Sequence, residues 1–515
     1  MPVIAHTSYW QQSAGADAGF YPPLRRDIAV DVAILGGGIT GLTAAAHLKQ
    51  AGKRVAVLEA AHIGSGTSGY TSGHLDATTD TPLADLIFEF GEKASQVVAI
   101  ANREAIDLID ARCRGWPDCE FQRIPSYQYT ETADGLSGLQ KQCAAARKLG
   151  YNSWFSRQVP LPFECVGAVQ TEGQARFHIL RYLQHLAESV HGDGSSIFEN
   201  TRAAPPEDGS PCTVHTEHAD VRANKVIVAT HSYLGISEFD FRVFPYQSYV
   251  LTARVQEQIA DALFWDDEDP YHYIRLASLH EPDLLIIGGC DHKTGQSLDE
   301  RERLAELERY AKERFAGCSI EQEWSAQYYI PADGLPHIGR VPTTEHLYMA
   351  TGYSGTGLTW GTVAGVLLGR MLLGQRHPLE DVLTPGRLTV MASAREVISE
   401  NLDVMRRFVT DRFAGKAISD AEIAPGAGQV VSRDGRLIAM YRDDAGALHR
   451  FSPICTHAGC IVHWNEAERT WDCPCHGGRY SAEGKCFSGP PPRDLNPDPK
   501  KDHRKRTGGD ESWAS

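Results

Sequence analysis

Four residues near the C-terminus have the types and spacing of a metal centre. Cys455 and His457 stand one residue apart in "CTHAGC", and Cys473 and His476 stand two apart in "CPCHGG". Two thiolates and two imidazoles can hold zinc tetrahedrally. However, C-x-H followed by C-x-x-H is not zinc-finger spacing. The same donors also suit a two-iron cluster in which one iron takes both thiolates and the other both imidazoles.

A second constellation lies at the other end of the chain, in "DVAILGGGITGLTAAAHLKQAGKRVAVLEA". Gly36, Gly38 and Gly41 follow an apolar strand and open a helix, and Glu59 ends the next strand. Gly36 permits a tight turn, Gly38 lets backbone approach a pyrophosphate, and Gly41 lets helix and strand pack closely. The helix N-terminus, with Ile39 and Thr40, offers free N–H groups to phosphate. Glu59 is placed to accept from ribose hydroxyls, with Ala60 beside it. The loop that follows carries Ser65, Gly66 and Thr67 among other small residues, which allows a flat ring system to approach. "GYSGTGLTWG" (352–361), with Gly352, Gly355, Thr356, Gly357 and Leu358, opens another helix. Its N-terminus suits negative charge on a reduced ring.

These sites require several domains, and 515 residues allow two to four. A formal net charge of −16 argues against general nucleic-acid binding. No apolar run reaches the length of a transmembrane segment, and the N-terminus lacks a basic-then-apolar leader, so the expectation is a cytoplasmic protein. Of 12 cysteines, Cys455, Cys460, Cys473, Cys475 and Cys486 crowd together, which favours metal binding over a disulfide scaffold.

The pattern predicts helices over 81–115, 136–150, 175–190 and 298–316. It predicts strands over 29–35, 224–231, 243–256 and 283–289, and a strand, turn and apolar helix over 346–374. A polar helix near 402–414 and a connector precede short strands broken by Gly, Pro and Asp from about 427. The tail from 496 reads as disordered.

The N-terminal part resembles the D-amino-acid oxidase/glycine oxidase/sarcosine oxidase family of FAD-dependent oxidoreductases. The matching stretches are "VAILGGGITGLTAAAHLKQAGKRVAVLE", "KVIVATH", "DGLPHIG" after Trp324, and "YMATGYSGTGLT". The resemblance implies FAD and an α/β Rossmann-like domain with an α+β antiparallel-sheet substrate domain. The oxidoreductase then spans 1–400. Its FAD-binding parts fall at about 28–84, 220–235 and 330–400, and its substrate domain at 85–219 and 236–329. The implied reaction is C–H oxidation next to an amine. Members carry an Arg for the substrate carboxylate where this chain has Tyr328, so a carboxylate clamp is in doubt. Arg340 or Arg254 are the candidates to replace it. The family's oxygen-activating Lys has no clear match, Lys293 being the nearest, which favours a dehydrogenase. Candidates beside the flavin are His74, Tyr249, Tyr328 and His337. A hydrogen-bonded structural role stays open for each His, and packing for Tyr249.

The C-terminal part resembles the Rieske [2Fe–2S] domain over 425–495, after a connector at 401–424, as a small all-β unit. The resemblance assigns Cys455 and Cys473 to one iron, and His457 and His476 to the other. It implies a disulfide between Cys460 and Cys475, two free thiols being the alternative. It places Tyr480 as a donor to a ligand sulfur. Gly478 stands where high-potential members have Ser, so a lower potential is expected. "GPPPRDL" (489–495) matches the proline-bearing loop over the cluster.

A flavin takes two electrons and this cluster carries one. Together they imply a relay from a small amine or amino-acid-like substrate, through FAD and cluster, to an unidentified acceptor: protein, quinone or oxygen. No second G-x-G-x-x-G is evident for a nicotinamide. Two other functions fit the same parts: an electron-transfer reductase serving a partner oxygenase, and a redox-sensing module.

Overall fold

The computed structural model describes residues 7–15, 21–235, 237–296, 300–387, 404, 406–408, 410–413 and 419–498. A seven-stranded sheet orders His337–Arg340, Leu347–Thr351, Asp220–Val228, Ile28–Leu35, Val55–Leu58 and Ser196–Phe198, with Cys212–His215 pairing Asp220–Val228. Ile28–Leu35 lies between two parallel neighbours. Its apolar end, Val32–Leu35, is therefore buried on both faces. The helix Ile39–Gln50 packs against Gly357–Leu372. Gly361, Gly365 and Gly369 recur every four residues along the second helix. A Cβ at these positions would lie 2.5 Å from Ile39, 2.6 Å from Thr43 and 2.7 Å from His47. The glycine stripe thus sets how closely the two helices approach.

A nine-stranded, mostly antiparallel sheet orders Ser319–Pro331, Val243–Arg254, Glu281–Lys293, His272–Ser278, Leu263–Trp265, Gln122–Thr130, Gly167–Arg176 and His74–Leu75, with Ser153–Ser156 pairing Gly167–Arg176. The helix Glu300–Arg314 covers one part of it with Leu304, Leu307 and Ala311, against Leu251, Leu285 and Ile287. The C-terminal unit holds two small antiparallel sheets, Gly428–Phe451 and His463–Ser488 in extent. They pack around Trp471, Tyr480 and Val462.

Some expected boundaries move. Ser196–Phe198 and Cys212–His215, expected in the substrate domain, join the nucleotide-binding sheet because they pair with Val55–Leu58 and Asp220–Val228. His74–Leu75, expected with the FAD-binding part, pairs with Gly167–Arg176 instead. The first tail residues are tied down: Pro497 bridges Phe451, and Ser452 donates to the Asn496 carbonyl. The rest of the tail, 499–515, and much of the expected 402–414 helix lie outside the described residues.

Candidate functional site: a flavin cavity backed by a cysteine–histidine centre

A cavity of about 620 Å³ runs along the carboxyl ends of the nucleotide-binding strands. Gly36, Gly38, Ile39 and Thr40 line one end, with Glu59, Ala60, Gly66 and Thr67. Gly36 has φ +107°, and a Cβ there would lie 2.4 Å from the Ala229 carbonyl oxygen. A Cβ at Gly41 would lie 2.0 Å from the Gly36 carbonyl oxygen, so Gly41 sits behind the cavity as the helix–turn contact. Glu59 braces the turn, accepting from Gly37 N–H at 2.7 Å and Ala61 N–H at 2.9 Å. Ser65 and Gly352 lie outside the lining. Ser65 Oγ accepts from His62 N–H, and Gly352 makes its turn at φ +79°. Gly355, Thr356, Gly357 and Leu358 line the far part with Tyr353. The cradle, with a helix N-terminus whose cap residue, Gly38, brings no side chain, fits a dinucleotide pyrophosphate.

The far part of the cavity holds the substrate-side groups. His74 and Tyr328 line it. His74 Nδ1 lies 3.0 Å from Ser72 Oγ, and burial and the Arg275 charge push its pKa down to about 3, so it stays neutral. Tyr328 donates to Asp291 at 2.6 Å. Asp80 faces the open cavity while accepting from Gly355 N–H, and enclosure by the surrounding protein still raises its pKa to about 6. Asp76, Tyr271, Tyr273 and Trp265 complete this end. Sequence reasoning missed Asp80. Its only signal was an acid closing the small-residue loop, in "TTDTP".

Tyr249 and His337 do not line the cavity. Strand alternation explains Tyr249: Ser248 faces the cavity, so its neighbour points to the opposite face and stacks on His292 at 5.5 Å. His337 lies in Ile338's strand, 1 % exposed, with its ring 5.7 Å from Phe239. The candidate replacements for the carboxylate clamp are also elsewhere. Arg254 pairs with Glu321 and Asp283 at the surface, and exposed Arg340 donates to the Thr344 carbonyl at 2.5 Å. Lys293 lies outside the lining too.

The four expected metal ligands converge. The His457 and His476 rings are 5.0 Å apart and buried, at 8 % and 6 % exposed. Nδ1 of His457 and both ring nitrogens of His476 have no hydrogen-bond partner. Buried imidazole nitrogens left unpaired are costly, and a metal resolves that cost. Cys455 and Cys473 are buried beside them. Tyr480 Oη lies 3.2 Å from Cys455 Sγ. A disulfide joins Cys460 to Cys475 and so ties the two ligand loops together. These features fit a [2Fe–2S] cluster.

One strand separates the two sites. In Ser319–Pro331, residues Ala326, Tyr328 and Ile330 line the cavity. The alternate residues face the C-terminal unit. Ser325 donates to Glu468, Gln327 donates to the Gly477 carbonyl at 2.9 Å, and Tyr329 donates to the His476 carbonyl at 3.3 Å. The junction is buried and charged: Arg479 pairs with Glu468 at 2.7 Å and Asp472 at 3.1 Å, and Gln247 reaches Glu468 from the next strand. Asp240 Oδ2 stands 3.2 Å from His457 Nε2. Phe487, Ser488 and Gly489 of the C-terminal unit even form part of the cavity wall. None of these contacts was legible as a motif.

Fold, cavity and cysteine–histidine centre together define a flavin-dependent oxidoreductase with an attached Rieske centre. The chain belongs to the FAD dependent oxidoreductase (DAO) family, whose model matches residues 31–371, and the Rieske [2Fe-2S] domain matches residues 415–498. Its cofactors are FAD and one [2Fe–2S] cluster. It is 31 % identical over 492 residues to a Bacillus subtilis protein named for a Rieske 2Fe-2S centre, YhfW, covering 94 % of this chain and 96 % of that one. It is 27 % identical to the gamma-glutamylputrescine oxidoreductase of Escherichia coli K12, over 72 % of this chain and 90 % of that one. The glycine oxidase structure from Geobacillus kaustophilus shares the fold, with TM-score 0.60 and 19 % identity over 71 % of this chain and 100 % of that one. Among the described residues, no helix is long and apolar enough to cross a membrane.

Proposed function

We propose that the protein oxidises a small amine or amino-acid-like substrate and passes the electrons singly through its cluster to an external acceptor. The oxidation breaks the C–H bond beside the nitrogen and forms C=N. Two electrons and the hydrogen leave together, and the nitrogen's proton goes to water. When bound, FAD supplies the hydride acceptor and the cluster a one-electron carrier.

The observation that carries this reading is the shared strand Ser319–Pro331, with the cavity on one face and the Gly477 and His476 carbonyls bonded to the other. Around the cavity, burial keeps Tyr328 protonated as a donor, and His74 presents a neutral ring. The relatives named for amine and amino-acid oxidation support the substrate class. Anaerobic stopped-flow absorbance tests the relay. An amine substrate should bleach the flavin first and the cluster second. Flavin bleaching with the cluster left oxidised on all timescales would end the relay reading, and bleaching by a nicotinamide instead would make the chain a reductase.

A further inference from the structure

The far end of the cavity has a consistent charge. Asp80 sits on the turn that opens the helix Gly357–Leu372, through the Gly355 N–H. Asp291 lies behind the lining, where Tyr328 Oη donates to it at 2.6 Å and its Oδ1 has no hydrogen-bond partner. Asp76 lines the same space, is only 4 % exposed, and leaves Oδ2 without a hydrogen-bond partner. Burial raises the pKa of Asp80 and of Asp291 to about 6, with the Asp76 charge adding to the rise at Asp80 and the Asp80 charge to that at Asp291. Arg202 is the cavity's one Arg or Lys among the described lining residues. It lies toward the Glu59 end, also bordering a second hollow with Ala60 and Thr201. The aromatic rings of Tyr271, Tyr273 and Tyr328 stand among the acids, and tyrosine faces attract ammonium groups.

Buried carboxylates without a counter-ion are costly, and a ligand that brings the positive charge relieves the cost. The nitrogen beside the oxidised carbon must be neutral when its C–H bond breaks. A charge that stays beside these acids while the C–H bond breaks must therefore come from another group of the substrate. Resting on the amine-oxidation reading above, we infer that the substrate is a diamine: one amine is oxidised, and a second, distal ammonium is held at Asp80 inside the tyrosine cage, with Asp291 adding its charge from behind Tyr328 and no carboxylate beside the reacting nitrogen.

The test uses FAD- and cluster-loaded protein. Calorimetric titration of the oxidised form compares 1,4-diaminobutane, 1-butylamine, glycine and L-proline, and anaerobic flavin bleaching follows with the same compounds. The diamine should bind at least about 30-fold tighter than the other three, the ratio expected for one desolvated charge contact. Asp80→Asn should remove about tenfold or more of that affinity, and Asp291→Asn a smaller factor, while FAD absorbance stays normal. Tyr328→Arg should shift preference toward the amino acids. Equal binding of butylamine and the diamine would overturn the inference, as would tighter binding of glycine or proline. In that case, bleaching by those compounds would leave amine oxidation standing. If no amine of any kind bleaches the flavin, the oxidation reading falls and this inference with it.

Discussion

Gln327 donates through Nε2 to the Gly477 carbonyl at 2.9 Å, joining the cavity wall to the loop that carries His476. The same side chain accepts from Ser488 Oγ at 2.8 Å, and the Gln327 main-chain carbonyl accepts from Thr67 Oγ1 at 3.1 Å. One residue thus touches a cavity-lining loop, a cavity-wall strand and a cluster loop.

Replacing Gln327 with Leu strips the Gly477 carbonyl and Ser488 Oγ of this side-chain partner and leaves the Thr67 bond in place, at a cost of about 1–3 kcal/mol for each buried group left unpaired. The variant should retain both cofactors, yet pass electrons from flavin to cluster at least about tenfold more slowly, because the docked geometry loosens. Stopped-flow traces at flavin and cluster wavelengths report this directly. An unchanged inter-centre rate would show that Gln327 only packs.

Gly478 tests the setting of the potential. A hydroxyl here would add a hydrogen bond to the reduced cluster, worth about 1.5–3 kcal/mol for a charged acceptor. In a one-electron couple that is an upward shift of roughly 60–130 mV. A Cβ at this position would lie 2.5 Å from Pro491 Cγ and 3.4 Å from Cys455 Sγ, so any side chain displaces the proline loop. Gly478→Ala carries the same crowding without the hydroxyl. Redox titration should therefore place Gly478→Ser above Gly478→Ala. Equal potentials would remove the hydroxyl argument.

The Cys460–Cys475 bridge closes a loop with a sequence separation of 15 residues. On the chain-entropy model such a loop contributes about 3 kcal/mol. The double variant Cys460→Ala/Cys475→Ala should fold, since both positions are buried among apolar neighbours. Its cluster absorbance should decay faster at 37 °C than that of the parent, with FAD retained.

Acid should destabilise the fold before it touches most surface carboxylates. Burial lowers the pKa of His74 to about 3 and those of His178 and His231 to about 4, against roughly 6.5 in an unfolded chain. Between these values the unfolded chain binds more protons than the native one. Stability is therefore full above pH 6.5 and falls as pH drops toward 4. His178 Nδ1 accepts from Arg181 N–H and caps the helix Ile179–Val190, so its protonation also breaks a cap. His178→Asn keeps a capping acceptor that does not titrate. The slope of Tm against pH should be shallower in this variant, and an identical slope would place the acid sensitivity elsewhere.

Short-range chemistry was legible in the sequence. Gly36, Gly38 and Gly41 follow from the turn a pyrophosphate needs, and Cys455, His457, Cys473 and His476 from the donors an iron cluster needs. Both patterns lie within a few residues, so local spacing encodes them. The long apolar helix was readable as well, though the reason for Gly361, Gly365 and Gly369 appeared only with Ile39, Thr43 and His47 packed against them. Tyr249 and His337 looked equivalent to Tyr328 and His74 as types. Which face of a strand meets the cavity depends on sheet pairing, and no motif states it.

The sequence by itself determined the two cofactor sites and their families, because each rests on a contiguous stretch whose backbone must bend or converge in one way. Tertiary structure alone decided that these sites share a strand. It also decided that Asp80 lines the cavity and that Asp291 stands behind Tyr328, where a carboxylate clamp was sought. Gln327 is separated from Gly477 by 150 positions, and Asp80 from Asp291 by 211 (291 − 80). Contacts at such separations come from packing one sheet against another, and the physical chemistry of a local stretch does not fix them.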